Sequence, residues 1–446
     1  MNLLEKIKAA GIVGTGGAGF PSALKLDCNV EYLLVNAAEC EPLLQTDKFI
    51  MKNFAAQTVE AIDAVAAQTG AKKVFIGIKG INTACIAAMN AAIAKKGSAA
   101  KVFELDNYYP AGDEQMLVYD ITGRVVPPAS IPLKVGAVVC NIGTMLAIYD
   151  AMHDIPHTQK YLTITGLVKS PAVLHAPVGI SFAECITAAG GASIAEYKII
   201  SGGPMMGKVL RKEDAEKTPV TKTTSGIIVV SADSNFVARL NDLKVQQILN
   251  RAKSACIQCS FCTELCPRAL TGHKLRPHRV MRKMSAQDFS QNLVADDVLR
   301  EALICCGCGI CETFACPMGL SPRQVNLYVK AQLKGEKPDI PAGDFVVSPQ
   351  RPYRKIAPAK IMARMGLLPL YDHAEYKCIE LNTRKARIPC SQHIGAPAEP
   401  VVAVGDNVKC GQLIACAVEG KPGANVHASI DGRVSAAGQC IEIEGA

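Results

Sequence analysis

The 446 residues are 49% hydrophobic and 20% charged, globular composition with length for roughly three domains at ~150 residues each, which excludes a wholly disordered chain. No apolar run approaches the ~20 residues of a membrane helix, and the opening MNLLEKIKAAG lacks a signal peptide's apolar core and cleavage site, so a chain without a membrane span, kept in the cytoplasm, is expected. The formal charge of +8 would suit nucleic-acid phosphates, but with no tryptophan and 5% aromatic residues base-stacking platforms are scarce, and no nucleic-acid partner is expected.

From the N-terminus, the stretch G14-T-G-G-A-G19-F-P formally matches G-x-G-x-x-G. A dinucleotide fingerprint must follow a strand, whereas LLEKIKAAG before it has helical spacing. Two readings stay open on these residues: an ordinary turn, or a loop whose backbone N–H groups wrap an anion or a flavin. Short apolar runs follow at 32–36, 73–79, 101–105 and 136–141, with Ala-rich helical stretches such as 81–96 between them. That rhythm predicts a Rossmann-like α/β domain with a parallel sheet over residues 1–158, whose ligands sit at the carboxyl ends of the strands. Asn36 and Asn141 each end such a strand. From 159 to 240 the pattern YLTITGLV, a turn, SFAECITAAGG and YKIISGGPMMG predicts a small α+β module. Residues 241–335 read as helices around cysteine motifs, 336–384 as a Pro/Gly-rich linker, and 385–446 as a compact β domain.

Nineteen cysteines in a chain of this kind point to a reducing compartment and to metal ligation. The run C256-I-Q-C259-S-F-C262-T-E-L-C266-P has the bacterial ferredoxin spacing closed by proline. A second run supplies Cys305, Cys308, Cys311 and Cys316-Pro, with four residues instead of three before its last cysteine. In two-cluster ferredoxins the Cys-Pro ligand serves the other cluster. Cys256, Cys259, Cys262 and Cys316 are therefore assigned to one 4Fe-4S cluster, and Cys266, Cys305, Cys308 and Cys311 to the other. Structural zinc would use paired knuckles rather than three ligands and a distant Cys-Pro. Cys306 is left over, and is expected to pack as a small side chain. Between 268 and 284 stand six Lys/Arg and no acid. They are a solvated helix face, an offset to the clusters' negative charge, or a dock for an acidic partner.

GIVGTGGAGFPSALKL followed by YLLVNAAECEP resembles the flavin-binding subunit of respiratory complex I. Y109-P-A-G112-D113-E114-Q and V-V-C140-N141-I-G-T144 are similar to two further motifs of that family. Thr15, Cys140 and Asp113 depart from its pattern. The cysteine region resembles the helical dicluster ferredoxin domains of respiratory enzymes. GGPMMG at 202–207 and the β domain placed last, through QHIGAPAEPVVAVGDNVKCGQ and ANVHASIDGRV, resemble the RnfC-like proteins and, among them, the PduS-type cobalamin reductases.

The resemblance implies an order of domains: Rossmann-like flavin domain, β-grasp (SLBB-like) module, helical dicluster ferredoxin domain and C-terminal barrel-sandwich β domain. It implies that Gly14, Gly16, Gly17, Gly19, Lys25, Asn36, Asn141 and Thr144 hold FMN, and that Phe20, Glu41 and Glu114 lie near NADH. Tyr109, Gly112 and Asp113 belong to the same cofactor-binding set, and no catalytic residue is singled out. The implied activity is hydride transfer from NADH to FMN and one-electron transfer through two 4Fe-4S clusters to a corrinoid. Implied partners are a corrinoid adenosyltransferase or another redox protein, and the shell or lumen proteins of a bacterial microcompartment in the cytoplasm. A homo-oligomer is compatible with it. Two other readings fit the same residues: a non-catalytic electron-relay and docking subunit, and a soluble RnfC-like component passing electrons from NADH to a ferredoxin.

Overall fold

The four apolar runs Tyr32–Asn36 (β1), Lys73–Lys79 (β2), Lys101–Leu105 (β3) and Ala137–Asn141 (β4) form a parallel sheet in the order β3-β2-β1-β4. Their sequences are continuous apolar stretches because both faces are covered. Helices Ala55–Thr69, Thr83–Lys96 and Ile142–Met152 bury Ile62, Met89 and Met145 on one face, against Leu33, Val35 and Ile76. Helix Glu114–Thr122 covers the other with Leu117 and Val118 against Leu34 and Val139. The chain passes outward from β1 through β2 to β3, then returns to the far side of β1 as β4. The strand order therefore reverses between β1 and β4, where a crevice opens at the carboxyl ends. The computed structural model describes every residue except 235, 238–243, 288–292, 339, 341–344, 372–373 and 446.

Strands Gln159–Gly166 (β5), Ala172–Pro177 (β6), Tyr197–Ser201 (β7), Lys208–Arg211 (β8) and Gly226–Ser231 (β9) build a mixed sheet over helix Phe182–Ala188, whose capping box pairs Ser181 with Glu184. A sixth strand, Cys378–Glu380 (β10), pairs in parallel with β6. Helices Val245–Ala255, Pro277–Ser285 and Pro322–Gln332 pack through Leu249, Val280, Met281 and Val325. The C-terminal part is two antiparallel sheets, one of Lys385–Pro389 (β11), Asn407–Val408 (β13), Gly432–Ala436 (β16) and Cys440–Glu444 (β17), the other of Glu399–Pro400 (β12), Leu413–Cys416 (β14) and Val426–His427 (β15). Ile388, Ile414, Val434 and Ile441 fill the space between them.

The linker expected over 336–384 needs correction. It contains β10 and helix Pro358–Met365, whose Ile361, Met362 and Met365 join a core with Leu44, Ile200 and Phe236. The Pro/Gly-rich stretch that suggests a linker ends at 355, whereas beyond it Pro358 stands at the first helical position and Gly366, at φ +73°, closes the helix, so these two are helix-end signals rather than loop composition. The boundary expected between 240 and 241 lies outside the described residues. Lys222 joins three parts of the chain: its buried Nζ donates to the carbonyls of Gly11 and Asn425, both at 2.8 Å.

Candidate functional site

The crevice between β1 and β4 is built from motifs far apart in sequence. Asn36 and Asn141 are register partners at the strand ends. Asn141 caps helix Ile142–Met152, its Oδ1 accepting from Gly143 N at 2.8 Å while Nδ2 donates to Asp47 Oδ2 at 3.0 Å. The glycine loop is tied to that helix start: Thr15 N donates to Thr144 Oγ1 at 3.1 Å, and Thr15 Oγ1 lies 3.2 Å from Asn141 Oδ1. Gly14 N donates to the Phe20 carbonyl and closes the loop. Gly16, Gly17 and Ala18 form its exposed tip, and no described residue accepts a hydrogen bond from their N–H groups. Free loop amides beside a helix N-terminus are the arrangement that receives a phosphate.

The glycines are required for different reasons. A Cβ at Gly16 would lie 2.8 Å from the Asn141 side chain, whereas one at Gly17, at the exposed tip, would meet nothing within 4 Å. At Gly19, φ is +74° and a Cβ would lie 2.7 Å from Thr223, so that position serves contact with the β-grasp module. Phe20 is 40% exposed beside the loop. Lys25 Nζ pairs with Glu114 Oε1 at 2.9 Å, and although burial is the largest influence and lowers its pKa, the charge and hydrogen bond of Glu114 together with the nearby Cys140 and Cys28 outweigh it and hold the ammonium above its usual range. Asn36 Nδ2 donates to the Gly112 carbonyl at 2.8 Å, and Gly112 is packed so closely that a Cβ would lie 2.7 Å from Cys40.

Three of the residues expected to contact cofactor also make contacts within the protein, Glu41 among them while it lines the crevice. Glu41, expected near the nicotinamide, accepts from Met205 N at 2.9 Å, and the 202–207 loop is shaped around its carboxylate. Desolvation raises the Glu41 carboxyl to about 7. Tyr109, expected to contact cofactor, is buried and donates its hydroxyl to the Cys308 carbonyl at 2.9 Å. Asp113 caps helix Glu114–Thr122 and accepts from Arg268 Nη2 at 2.9 Å. Tyr109 and Asp113 face the cysteine region and Glu41 the β-grasp module, because the sheet's carboxyl end is also its docking face.

Sequence reasoning missed four polar residues at this crevice. Glu39, at φ +40°, caps the following helix through Asp47 N at 2.6 Å. Asp47 and Glu39 are both pushed up, Asp47 by loss of solvation and by the Glu39 charge. Buried Lys79 donates to the Glu39 carbonyl at 3.2 Å. Lys160 enters from β5, and burial lowers its ammonium to about 8. No local motif marks a lysine two residues into a strand of another module.

The cysteines form two groups. Cys256, Cys259, Cys262 and Cys316 line one small cavity. Cys266 faces Cys305 and Cys306, and Cys311 faces Cys305 and Cys266, with Cys308 beside Cys266 and Cys311. The first group is half-buried and the second is buried. Burial and neighbouring sulfurs push Cys262 and Cys266 up to about 12, and a cationic iron core would reverse that penalty. Among the described residues, no three His, Cys, Asp or Glu side chains close around a single ion. A four-iron core needs wider spacing, and the four sulfurs of each group suit it in type and number. The extra residue before Cys316 is absorbed by a π-turn, Cys311–Ala315, where the first run has a short α-helix, Phe261–Glu264. Of the six basic residues at 268–284, Arg268 pairs with Asp113, Arg276 with Glu301 and Lys283 with Asp296. Cys306 lies beside Cys308 and the Arg268 guanidinium.

Profiles of known families match along the chain: the Nuo51 FMN-binding domain over residues 7–150, the SLBB domain over 161–209, a 4Fe-4S dicluster domain over 255–321 and the RnfC barrel sandwich hybrid domain over 374–446. The cobalamin reductase PduS of Salmonella typhimurium is 39% identical over 439 residues, 97% of this chain and 94% of that one. Its Citrobacter freundii counterpart is 38% identical over 97% of this chain and 93% of its own length. One component of the Na(+)-translocating ferredoxin:NAD(+) oxidoreductase complex of Acetobacterium woodii is 37% identical over 58% of this chain and 56% of its own length.

Proposed function

Because the chain belongs to the PduS cobalamin reductase family, we propose that this flavo-iron-sulfur oxidoreductase takes electrons from NADH and delivers them singly to a corrinoid. FMN, when bound, accepts hydride and gives up single electrons, and 4Fe-4S clusters carry one electron at a time. The protein's part is to hold these groups in order. Gly16, Gly17 and Ala18 would offer their amides to the FMN phosphate beside the N-terminus of helix Ile142–Met152, with Asn36 and Asn141 at the crevice floor. Lys25, held by Glu114, adds positive charge nearby.

One observation carries the reading. The buried cysteine group is attached to the walls of the flavin crevice through Tyr109 to Cys308 and Asp113 to Arg268. The other group is only half-buried, with Ile257, Phe261 and Met318 exposed around it. That arrangement supports an inner cluster on Cys266, Cys305, Cys308 and Cys311 and an outer one on Cys256, Cys259, Cys262 and Cys316. A corrinoid adenosyltransferase as partner and a bacterial microcompartment as location complete the proposal.

The test is anaerobic stopped-flow on the holoprotein: NADH should bleach the flavin band, and aquocobalamin added next should restore it while its own spectrum shifts to the reduced form. No bleaching at full FMN and iron content would leave the relay reading. Bleaching without corrinoid reduction would move the acceptor elsewhere.

A further inference from the structure

Oxidising NADH by single-electron outlets leaves a proton behind: NADH gives NAD+, one proton and two electrons, and the electrons go to two one-electron acceptors. The proton arrives with the hydride, inside the crevice, and must reach solvent separately. A second cavity, of about 300 Å3, lies against the crevice and is lined on its far side by Asp150, His157, Tyr161 and His175. The two share a wall of Thr15, Ile50, Gly143 and Lys160. Lys160 is the only ionisable side chain among the described residues that lines both.

We propose that Lys160 Nζ is the proton outlet of the flavin crevice, taking the proton on the side of Asp47 and Glu39 and releasing it into the outer cavity toward Asp150 and His175. The charged and titratable groups facing Lys160 are Asp47, Glu39 and His157. The two carboxylates stabilise the ammonium, while burial favours its loss. An ammonium held this way exchanges its proton near neutrality, as its lowered pKa of about 8 also indicates. At the outer rim stand Asp150, raised to about 6 by loss of solvation, and His175, whose Nδ1 lies 2.6 Å from Glu380 Oε2, so the cavity holds groups that can receive the proton and pass it on. His157 is buried and its imidazole is held neutral by loss of solvation and by the nearby lysines, so it adds no fixed charge to the route.

The inference rests on the NADH-oxidising reading, and one experiment separates the two. Holoprotein reduced with one equivalent of NADH is mixed with ferricyanide in weak buffer containing a pH-indicator dye, so that flavin colour and proton release are followed together. In the unmodified protein both should return at one rate. Lys160→Met should slow that joint recovery at least about tenfold at equal FMN content. Lys160→Arg, which keeps the charge but holds its proton, should remain slow. Recovery of Lys160→Met at the unmodified rate, or full rescue by Lys160→Arg, overturns the inference. If Lys160→Met loses FMN, Asp150→Asn decides: a slowing of about threefold supports the route and an unchanged rate rejects it. Failure of NADH to bleach the unmodified protein would overturn the reading beneath both.

Discussion

Within the glycine loop, neighbouring glycines have different duties, and substitutions should separate them. Gly16→Ala forces a Cβ against Asn141 and should cost about 1–3 kcal/mol as well as FMN. Gly17→Val meets no neighbour, so its melting temperature should stay within about 2 °C while FMN is lost and iron retained. Flavin absorbance, iron analysis and thermal melts read both. Glu41 gives a pH signature. Its carboxyl rises from 4.5 unfolded to about 7 folded, so between those values the folded protein binds more protons than the unfolded chain. The contribution is present below pH 4.5 and is lost as pH rises through about 7. Glu41→Gln keeps an acceptor for Met205 N and should remove about 1–3 kcal/mol of that decline, measured as the difference between the two proteins' urea stabilities across the window.

The cysteine-bearing elements make a prediction about wiring. If the Cys-Pro ligands cross, Cys316→Ala and Cys262→Ala should lose the same EPR signal from the reduced protein, although the two residues sit in different runs. Cys311→Ala, five positions before Cys316, should lose the other. Equivalence of Cys316→Ala with Cys311→Ala would mean that each run holds its own cluster. Cys306→Ala should keep full iron content and Cys305→Ala should not. The four-residue gap before Cys316 reads in sequence as a departure from the ferredoxin pattern, and the π-turn Cys311–Ala315 shows how it is accommodated: one added residue widens the turn and leaves both flanking sulfurs facing their groups.

Across the whole molecule, the described polar contacts that join the flavin domain to the cysteine domain include Tyr109 to Cys308, Asp113 to Arg268 and His273 to the Val126 carbonyl. Arg268 is 6% exposed, and its partner Asp113 also caps a helix. Arg268→Met leaves that carboxylate enclosed without its cation and should cost about 3–5 kcal/mol. With FMN and iron still bound, flavin reoxidation through the clusters should slow while NADH bleaching continues, which stopped-flow absorbance at two wavelengths would distinguish. Unchanged reoxidation would mean that Tyr109, His273 and the apolar contacts suffice to hold the junction. No helix among the described residues is long and apolar enough to cross a membrane.

Periodicity and spacing by themselves determined the parallel sheet, with its strands at 32–36, 73–79 and 101–105, and the two cysteine runs, because local hydrogen bonding and ligand geometry leave their marks over a few residues. The glycine loop was legible as a motif but not in its internal division of labour, since which glycine meets Asn141, Thr223 or open space depends on chain that arrives 120 or more residues later. Tertiary structure alone decided that Glu41, Tyr109 and Asp113 serve the junctions between domains, that residues 358–365 are a packed helix within an apparent linker, and that Lys160 and Asp47 share one crevice. In each case the deciding contact is non-local: a carboxylate or ammonium takes its role from the partner packed against it, and no local pattern records that partner.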